Sequence, residues 1–589
     1  MSSLSPLKSL NIYLLKYRWY FLFGILCVIL SNVFSIYIPV FVRQGIDDAL
    51  FISRISSIPN SNILYSGALM NAMGFGLAIL IAAILKGVFM YFMRQLIVVN
   101  SRRIEFDQKN QLFRKYLKLD ETFFRNNYTG DLMNRITEDI SNVRMYLGPS
   151  IMYFANILFS FVLIVSQMWM VNHTLTMWVL IPLPFLSYSI YRVSQKINIG
   201  NKKIQEQLST ITTKAQETFA GIRVIKSFGA ESSFNKDFYQ SGLELRKKSL
   251  ELAKINALFF PLMAFLMGIS TVIVLYIGGL EVEKGLFTPG NVAEFIIYLN
   301  MLIWPVASLG WTTALVQKAS ASQKRINDFL GEEEVVDPGN KEFSFEKNVQ
   351  LVNLNYQYQD KNHLALSNIS LEIKKGMSYG IVGKTGSGKS TLIQILSRQL
   401  AVGDSTYLVD GIPVLDFKLK SFRSKIAYVQ QDVFLFSASI KDNILVGASR
   451  EVSDTELEEV LRLSALESDL KLFKDGIETI IGERGVSLSG GQKQRLSLAR
   501  ALLRDAEIYF LDDCLSAVDA ETESRIIENL SSIQKNKTWI MSSHRVAPLL
   551  DSDEIWVLEE GTLMARGNHK FLIENNHFYQ WLNENQQES

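Results

Sequence analysis

Apolar residues crowd into long uncharged runs in the first half of the chain and into short runs in the second. Tyr20–Val42 is 23 residues without a charge, enough at about 1.5 Å per residue to cross a hydrocarbon core of about 30 Å. Ala68–Met93 is a second run, interrupted only by Lys86. Met145–Tyr191 is 47 uncharged residues, twice a span, with Asn172-His173 as a turn near its middle. Ile255–Leu280 and Phe295–Gln317 complete the set. The pattern predicts six membrane helices.

Orientation follows from the basic residues. Segments 94–144 and 192–254 carry 10 and 12 Lys and Arg, whereas 44–66 and 281–294 carry one each, Arg54 and Lys284. The basic segments and both termini are therefore expected on the cytosolic side. Neither basic segment contains Pro, so the membrane helices are expected to continue well into the cytosol. Within them, Glu121–Asp139 and Glu217–Glu231 mix aromatics with charges around a Gly. Phe123, Phe124, Phe219 and Phe228 are candidates for a docking contact; ordinary packing within the helical stalk is the alternative. Lys86 either faces a substrate cavity or snorkels to the cytosolic surface.

The second half has short apolar runs bounded by glycines and polar turns. Ser378–Val382 reads as a strand, Leu392–Leu396 as part of a helix, and between them stands Gly383-Lys384-Thr385-Gly386-Ser387-Gly388-Lys389-Ser390-Thr391. A GxxxxGK[ST] loop between strand and helix is a P-loop. Its glycines let backbone N–H groups face phosphates, Lys389 adds positive charge, and Ser390 places a hydroxyl on Mg²⁺. Asp512 ends a second buried strand, Ile508–Leu511, where a carboxylate can hold Mg²⁺. His544 follows Thr538–Met541 and is a candidate γ-phosphate contact.

Composition narrows the classes. A chain of 589 residues needs more than one core. A net charge of +2 gives no field that would gather nucleic acid, and six spans exclude a soluble ATPase acting on it. Cys27 and Cys514 are expected to be free thiols, with no Cys/His cluster for a metal. The first apolar run is too long for a cleavable signal peptide and no small-residue cleavage site follows it.

The run LSGGQ, Leu488–Gln492, resembles the signature of the ATP-binding cassette family, and with the P-loop the whole chain resembles an exporter-type half-transporter of the bacterial multidrug-resistance-like pairs. The resemblance implies an α-helical transmembrane domain of six spans over 1–330, a linker over 331–345 and an α/β nucleotide-binding domain over 346–589. It implies ATP and Mg²⁺ as cofactors, a second half-transporter and the lipid bilayer as partners, and a bacterial inner-membrane location. It implies that Tyr358 stacks on adenine, with Tyr356 competing for that role. Gln431 resembles the glutamine that touches Mg²⁺ and senses the membrane domain. Glu483-Arg484-Gly485 resembles an exporter-specific loop. Ser516-Ala517-Val518-Asp519 matches the loop that follows the catalytic strand. Ser489, Gly490, Gly491 and Gln492 would contact ATP held by the opposite subunit. The two aromatic stretches resemble coupling helices.

One position departs from the family pattern. After the Mg²⁺ aspartate the family usually has Glu as general base; here stands Asp513. Asp is shorter by about 1.5 Å, and a misplacement of about 1 Å can cost on the order of 10²-fold in rate. The chain's own site is therefore expected to hold ATP and split it slowly, while its intact signature completes a faster site on a non-identical partner. A homodimer with Asp as a slow base and an ATP-gated channel or regulator are the other readings. The expected cargo is a hydrophobic or amphipathic solute; nothing in the spans specifies which.

Overall fold

Uncharged runs of this length leave the backbone no partner in lipid but itself, and the chain answers with helices. The computed structural model describes residues 2–55, 62–334, 337–358, 363–400, 403, 406–482, 488–534 and 537–587. The chain divides into two units, 1–334 and 335–589.

The first unit is helical. Helix α1 is Arg18–Ile55 and α2 is Asn62–Met93, which passes through a π-helical turn at Arg94–Val99 into α3, Asn100–Tyr116. The turn carries Ile97 against α1, where a Cβ on Gly24 would lie 2.4 Å from Ile97 Cγ1. Ile151–Val171 is α4, His173–Leu180 is α5, Pro182–Ala220 is α6, Glu231–Glu283 is α7 and Pro289–Leu330 is α8. The turn expected at Asn172 is there: its Oδ1 accepts the Leu175 N–H at 2.9 Å and starts α5.

Among the described residues five helical stretches are long and apolar enough to cross a membrane: Arg18–Phe51, Met70–Tyr116, Thr129–Val171, Glu231–Glu283 and Pro289–Leu330. The fourth expected span, the second half of Met145–Tyr191, is not one helix. It is divided between α5 and α6 at Ile181, because Pro182 and Pro184 remove two N–H donors from the ladder.

The cytosolic aromatic stretches form short helices, Glu121–Asn126, Thr129–Asn134 and Ile222–Ser227. Phe123 is half-buried, with its ring 5.9 Å from that of Phe329, which in turn lies 4.3 Å from the Tyr116 ring at a tilt of 34°. Phe219 and Phe228, at 74% and 82% exposure, remain on the surface.

The second unit contains two sheets. The first has order β2-β1-β4-β5, with β1 Asn348–Tyr356, β2 Leu366–Lys374, β4 Tyr407–Val409 and β5 Ile412–Pro413. The second has order β10-β9-β3-β8-β7-β6, with β3 Ser378–Val382, β6 Ile426–Val429, β7 Ile508–Asp512, β8 Thr538–Ser543, β9 Glu554–Glu559 and β10 Thr562–Gly567. Strands β3, β6, β7, β8 and β9 are parallel, and β3 and β7 are buried along their whole length, as expected for strands covered on both faces. Helix α9, Lys389–Leu396, follows β3; α10 is Gly490–Leu502, α11 is Ala520–Ile533 and α12 is His577–Gln587. The polar stretch 331–345 is tied at both ends. Lys115 and Lys118 pair with Glu334 in the first unit, while Asp337 accepts the Leu419 N–H at 2.7 Å and Phe343 and Phe345 are buried in the second.

Candidate nucleotide site

The parallel strands deliver their carboxyl ends to one edge, and the chemistry collects there, as is general for open α/β sheets. The P-loop follows β3, Gln431 lies two residues beyond β6, Asp512 ends β7 and His544 follows β8. Gly386 and Gly388 have φ of 84° and 100°, a region that L side chains avoid. A Cβ on Gly383 would lie 2.2 Å from Leu558 O, so the loop also needs Gly there to pass β9.

Lys389 is folded back on its own loop. Its Nζ donates to Gly383 O at 2.7 Å and Lys384 O at 3.0 Å, and stands 3.2 Å from His544 Nδ1. Burial lowers its pKa to about 8, with Asp513 and Asp512 opposing the shift. Ser390 Oγ donates to Asp512 Oδ1 at 3.0 Å, and Ser542 Oγ donates to the same oxygen at 2.6 Å. Burial raises the Asp512 pKa and these two hydroxyls counter it. Asp513 is buried; its Oδ2 accepts from Gln431 Nε2 at 3.4 Å and lies 3.9 Å from His544 Nε2. Its φ of 46° is left-handed, a conformation Asp tolerates better than most residues. Lys389, Ser390, Gln431, Asp512, Asp513 and His544 thus form one connected group.

Tyr358 joins this group through α9: its Oη is 3.1 Å from Thr391 Oγ1 and 3.5 Å from Gln394 Oε1. Tyr356 meets its ring edge-on at 5.1 Å. The donor set suits ATP with Mg²⁺. Ser387 Oγ is buried without a hydrogen-bond partner inside the loop that would cradle phosphate. One hydroxyl, one carboxylate and one amide oxygen are what Mg²⁺ uses when phosphates and water complete its shell.

The signature residues form a second constellation. Ser489 caps α10 by accepting the Gln492 N–H at 3.2 Å, and Gln492 Oε1 accepts the Ser489 N–H at 2.9 Å. Gly490 and Gly491 pass so close to Ala517 that a Cβ would lie 3.2 Å and 2.8 Å from its atoms. Asp519 caps α11 through Thr522 N at 2.9 Å, a bond that lowers its pKa. Glu483, Arg484 and Gly485 lie outside the described residues.

Three residues escaped the sequence reading. Ser542 holds both Asp512 and, at 3.1 Å, the backbone N–H of Asp513. Its signal was register: it pairs with Asp512 across β7 and β8. Asp469 accepts from Gln492 Nε2 at 2.8 Å. Gln494 bridges α10 to Ser516 Oγ at 3.0 Å and Ala517 N at 2.9 Å. Nothing local in the sequence marks either of the last two.

Residues 21–306 match the family model described as ABC transporter transmembrane region, and residues 366–516 match ABC transporter. The chain is 33% identical over 491 residues to the multidrug resistance-like ATP-binding protein MdlA of Escherichia coli (strain K12), covering 83% of each. It is 31% identical over 586 residues to the probable multidrug resistance ABC transporter ATP-binding/permease protein YheI of Bacillus subtilis (strain 168), covering 99% of this chain and 98% of that one. This chain belongs to the ABC exporters. A solved bacterial Atm1-family ABC exporter with ATP bound has the same fold, with a TM-score of 0.77 at 20% identity over 97% of this chain and 99% of that one. As an ABC exporter the chain is an integral membrane ATPase coupled to transport, with its nucleotide-binding domain in the cytosol.

Proposed function

We propose that this ABC exporter is one half of a heterodimer that moves hydrophobic or amphipathic solutes, and that its own ATP site is the slow one. The observation that carries the reading is the pair Asp512-Asp513 beside an intact signature. Asp513 has the shorter carboxylate, already drawn toward Gln431 and His544. The signature residues Ser489, Gly490, Gly491 and Gln492, with Asp519, complete the partner's site; there a Glu would serve as base. In the chain's own site the P-loop from Gly383 to Thr391 and Tyr358 hold ATP. Ser390, Asp512 and Gln431 hold Mg²⁺, which shields phosphate charge when bound, and His544 contacts the γ-phosphate. The cargo class is supported by relatives named for multidrug resistance and, at 30% identity over 560 residues, by an ATP-dependent lipid A-core flippase of Syntrophus aciditrophicus (strain SB). Only a difference in ATP affinity between closed and open nucleotide domains can drive the membrane helices.

The test is the full chain purified alone. It is expected to bind ATP and turn it over slowly, and to become fast when paired with a half-transporter bearing Glu at the equivalent position. Turnover by the isolated chain as fast as by such a pair overturns the heterodimer reading in favour of a homodimer.

A further inference from the structure

The last helix, α12, is part of the nucleotide site. It is pinned to the unit by Tyr579 and Leu582, which lie in one apolar cluster with Val382, the residue immediately before the P-loop. Tyr579 is fully buried and its Oη is 2.8 Å from His569 Nδ1. With that face fixed, residues 578 and 581, one turn apart, share another face. Phe578 and Trp581 stack with ring centroids 6.2 Å apart at 17°. Over them sits the ammonium of Lys384, 5.4 Å from the Phe578 centroid and 5.3 Å from that of Trp581. A cation over two aromatic faces is attracted by both quadrupoles.

Lys384 is the second residue of the P-loop, and its backbone is a working part of it. Its carbonyl accepts from Lys389 Nζ at 3.0 Å and from Ser387 N at 3.2 Å. The peptide that shapes the loop and parks Lys389 is therefore the one whose side chain the aromatic pair holds.

We propose that Phe578 and Trp581 are positioning residues for ATP binding: by holding the Lys384 ammonium they keep the P-loop in the shape that receives phosphate. The proposal rests on the nucleotide-site reading. ATP is not expected to touch either ring. Loss of the pair loosens the loop before ATP arrives, so it weakens ATP binding at this chain's own site.

The experiment measures ATP affinity by equilibrium binding to the full chain purified alone. Phe578→Ala/Trp581→Ala and Lys384→Met, which keeps the stem and removes the charge, are each expected to weaken ATP binding by about 3- to 10-fold. The triple variant is expected to be no worse than either, because both changes break one interaction. Trp581→Phe, which keeps an aromatic face, should restore most of the affinity. Unchanged affinity in Phe578→Ala/Trp581→Ala overturns the proposal, as do fully additive effects in the triple variant. A lower unfolding midpoint with unchanged affinity of the folded protein likewise overturns it, since it assigns α12 a purely structural role. Lys389→Ala separates the underlying reading: if that variant binds ATP as well as the wild type, the nucleotide site itself is misassigned.

Discussion

Lys389 reports on the site by pH. Burial brings its pKa to about 8, whereas an ATP phosphate beside it favours the charged form. Below about 8 the ammonium is already present and binding costs no proton. Above it, each binding event must take one up, so affinity is expected to fall by up to about tenfold per pH unit. Phosphate itself is fully ionised in that range, its second pKa being about 6. Equilibrium ATP binding between pH of about 7 and about 9.5 checks this, and a flat profile contradicts it. For folding the sign is reversed: unfolded Lys keeps its proton to about 10.4, so between the two values this group favours the folded state as pH rises. Asp513 gives the second residue-scale test. Asp513→Glu in the assembled pair is expected to raise hydrolysis at this site by about tenfold or more. Unchanged hydrolysis shows that side-chain length is not the limit. The identity of Asp513 was plain in the sequence. Its left-handed backbone was not, because β8 imposes it by holding the Asp513 N–H on Ser542.

Elements were legible where one periodicity or one motif determined them. The strand–loop–helix at Ser378–Leu396 is of that kind, since its Gly and Lys act locally. Where distant partners decide, the pattern was silent. Phe123 and Phe228 look alike in sequence, but only Phe123 meets the end of α8 through Phe329. The apolar run through Ile181 showed no charge, yet the prolines after it divide the helix. The outer ends of α1 and α8 are joined by groups that no motif announces. Arg43 Nη1 is 3.1 Å from Glu294 Oε2, Glu294 is 1% exposed, and Tyr298 Oη is 3.1 Å from Glu294 Oε1. Removing one member strands the others, so Glu294→Ala is expected to cost about 2 kcal/mol, less than for a fully buried pair because Arg43 is partly exposed. Thermal unfolding in detergent measures it. Arg43→Met/Glu294→Leu should recover most of the loss, and a single variant as stable as wild type shows that the pair adds nothing.

For the whole molecule the topology turns on the segment 173–191. If it crosses the membrane, six crossings bring the nucleotide-binding domain to the side of the N-terminus. If it does not, residues 192–254 with their 12 basic side chains lie outside, against the expected bias toward cytosolic Lys and Arg. The chain suits a labelling test. Its two cysteines are Cys27, within the membrane span of α1, out of reach of an impermeant reagent, and Cys514, buried with its thiol pushed up to about 12 by burial and so without a reactive thiolate at neutral pH. Single cysteines can then be placed at exposed positions: Thr174→Cys at the turn after α4, Arg223→Cys in the short helix Ile222–Ser227, and Lys284→Cys beyond α7. With six crossings, a membrane-impermeant maleimide labels positions 174 and 284 in intact cells and position 223 only in inverted vesicles. The three positions are independent enough to locate an error. Labelling of position 223 from outside, with 174 also outside, means that α5 and the start of α6 turn back without crossing. Labelling of 284 only in inverted vesicles means that α7 does not cross. The six-span topology survives only if 174 and 284 report one side and 223 the other.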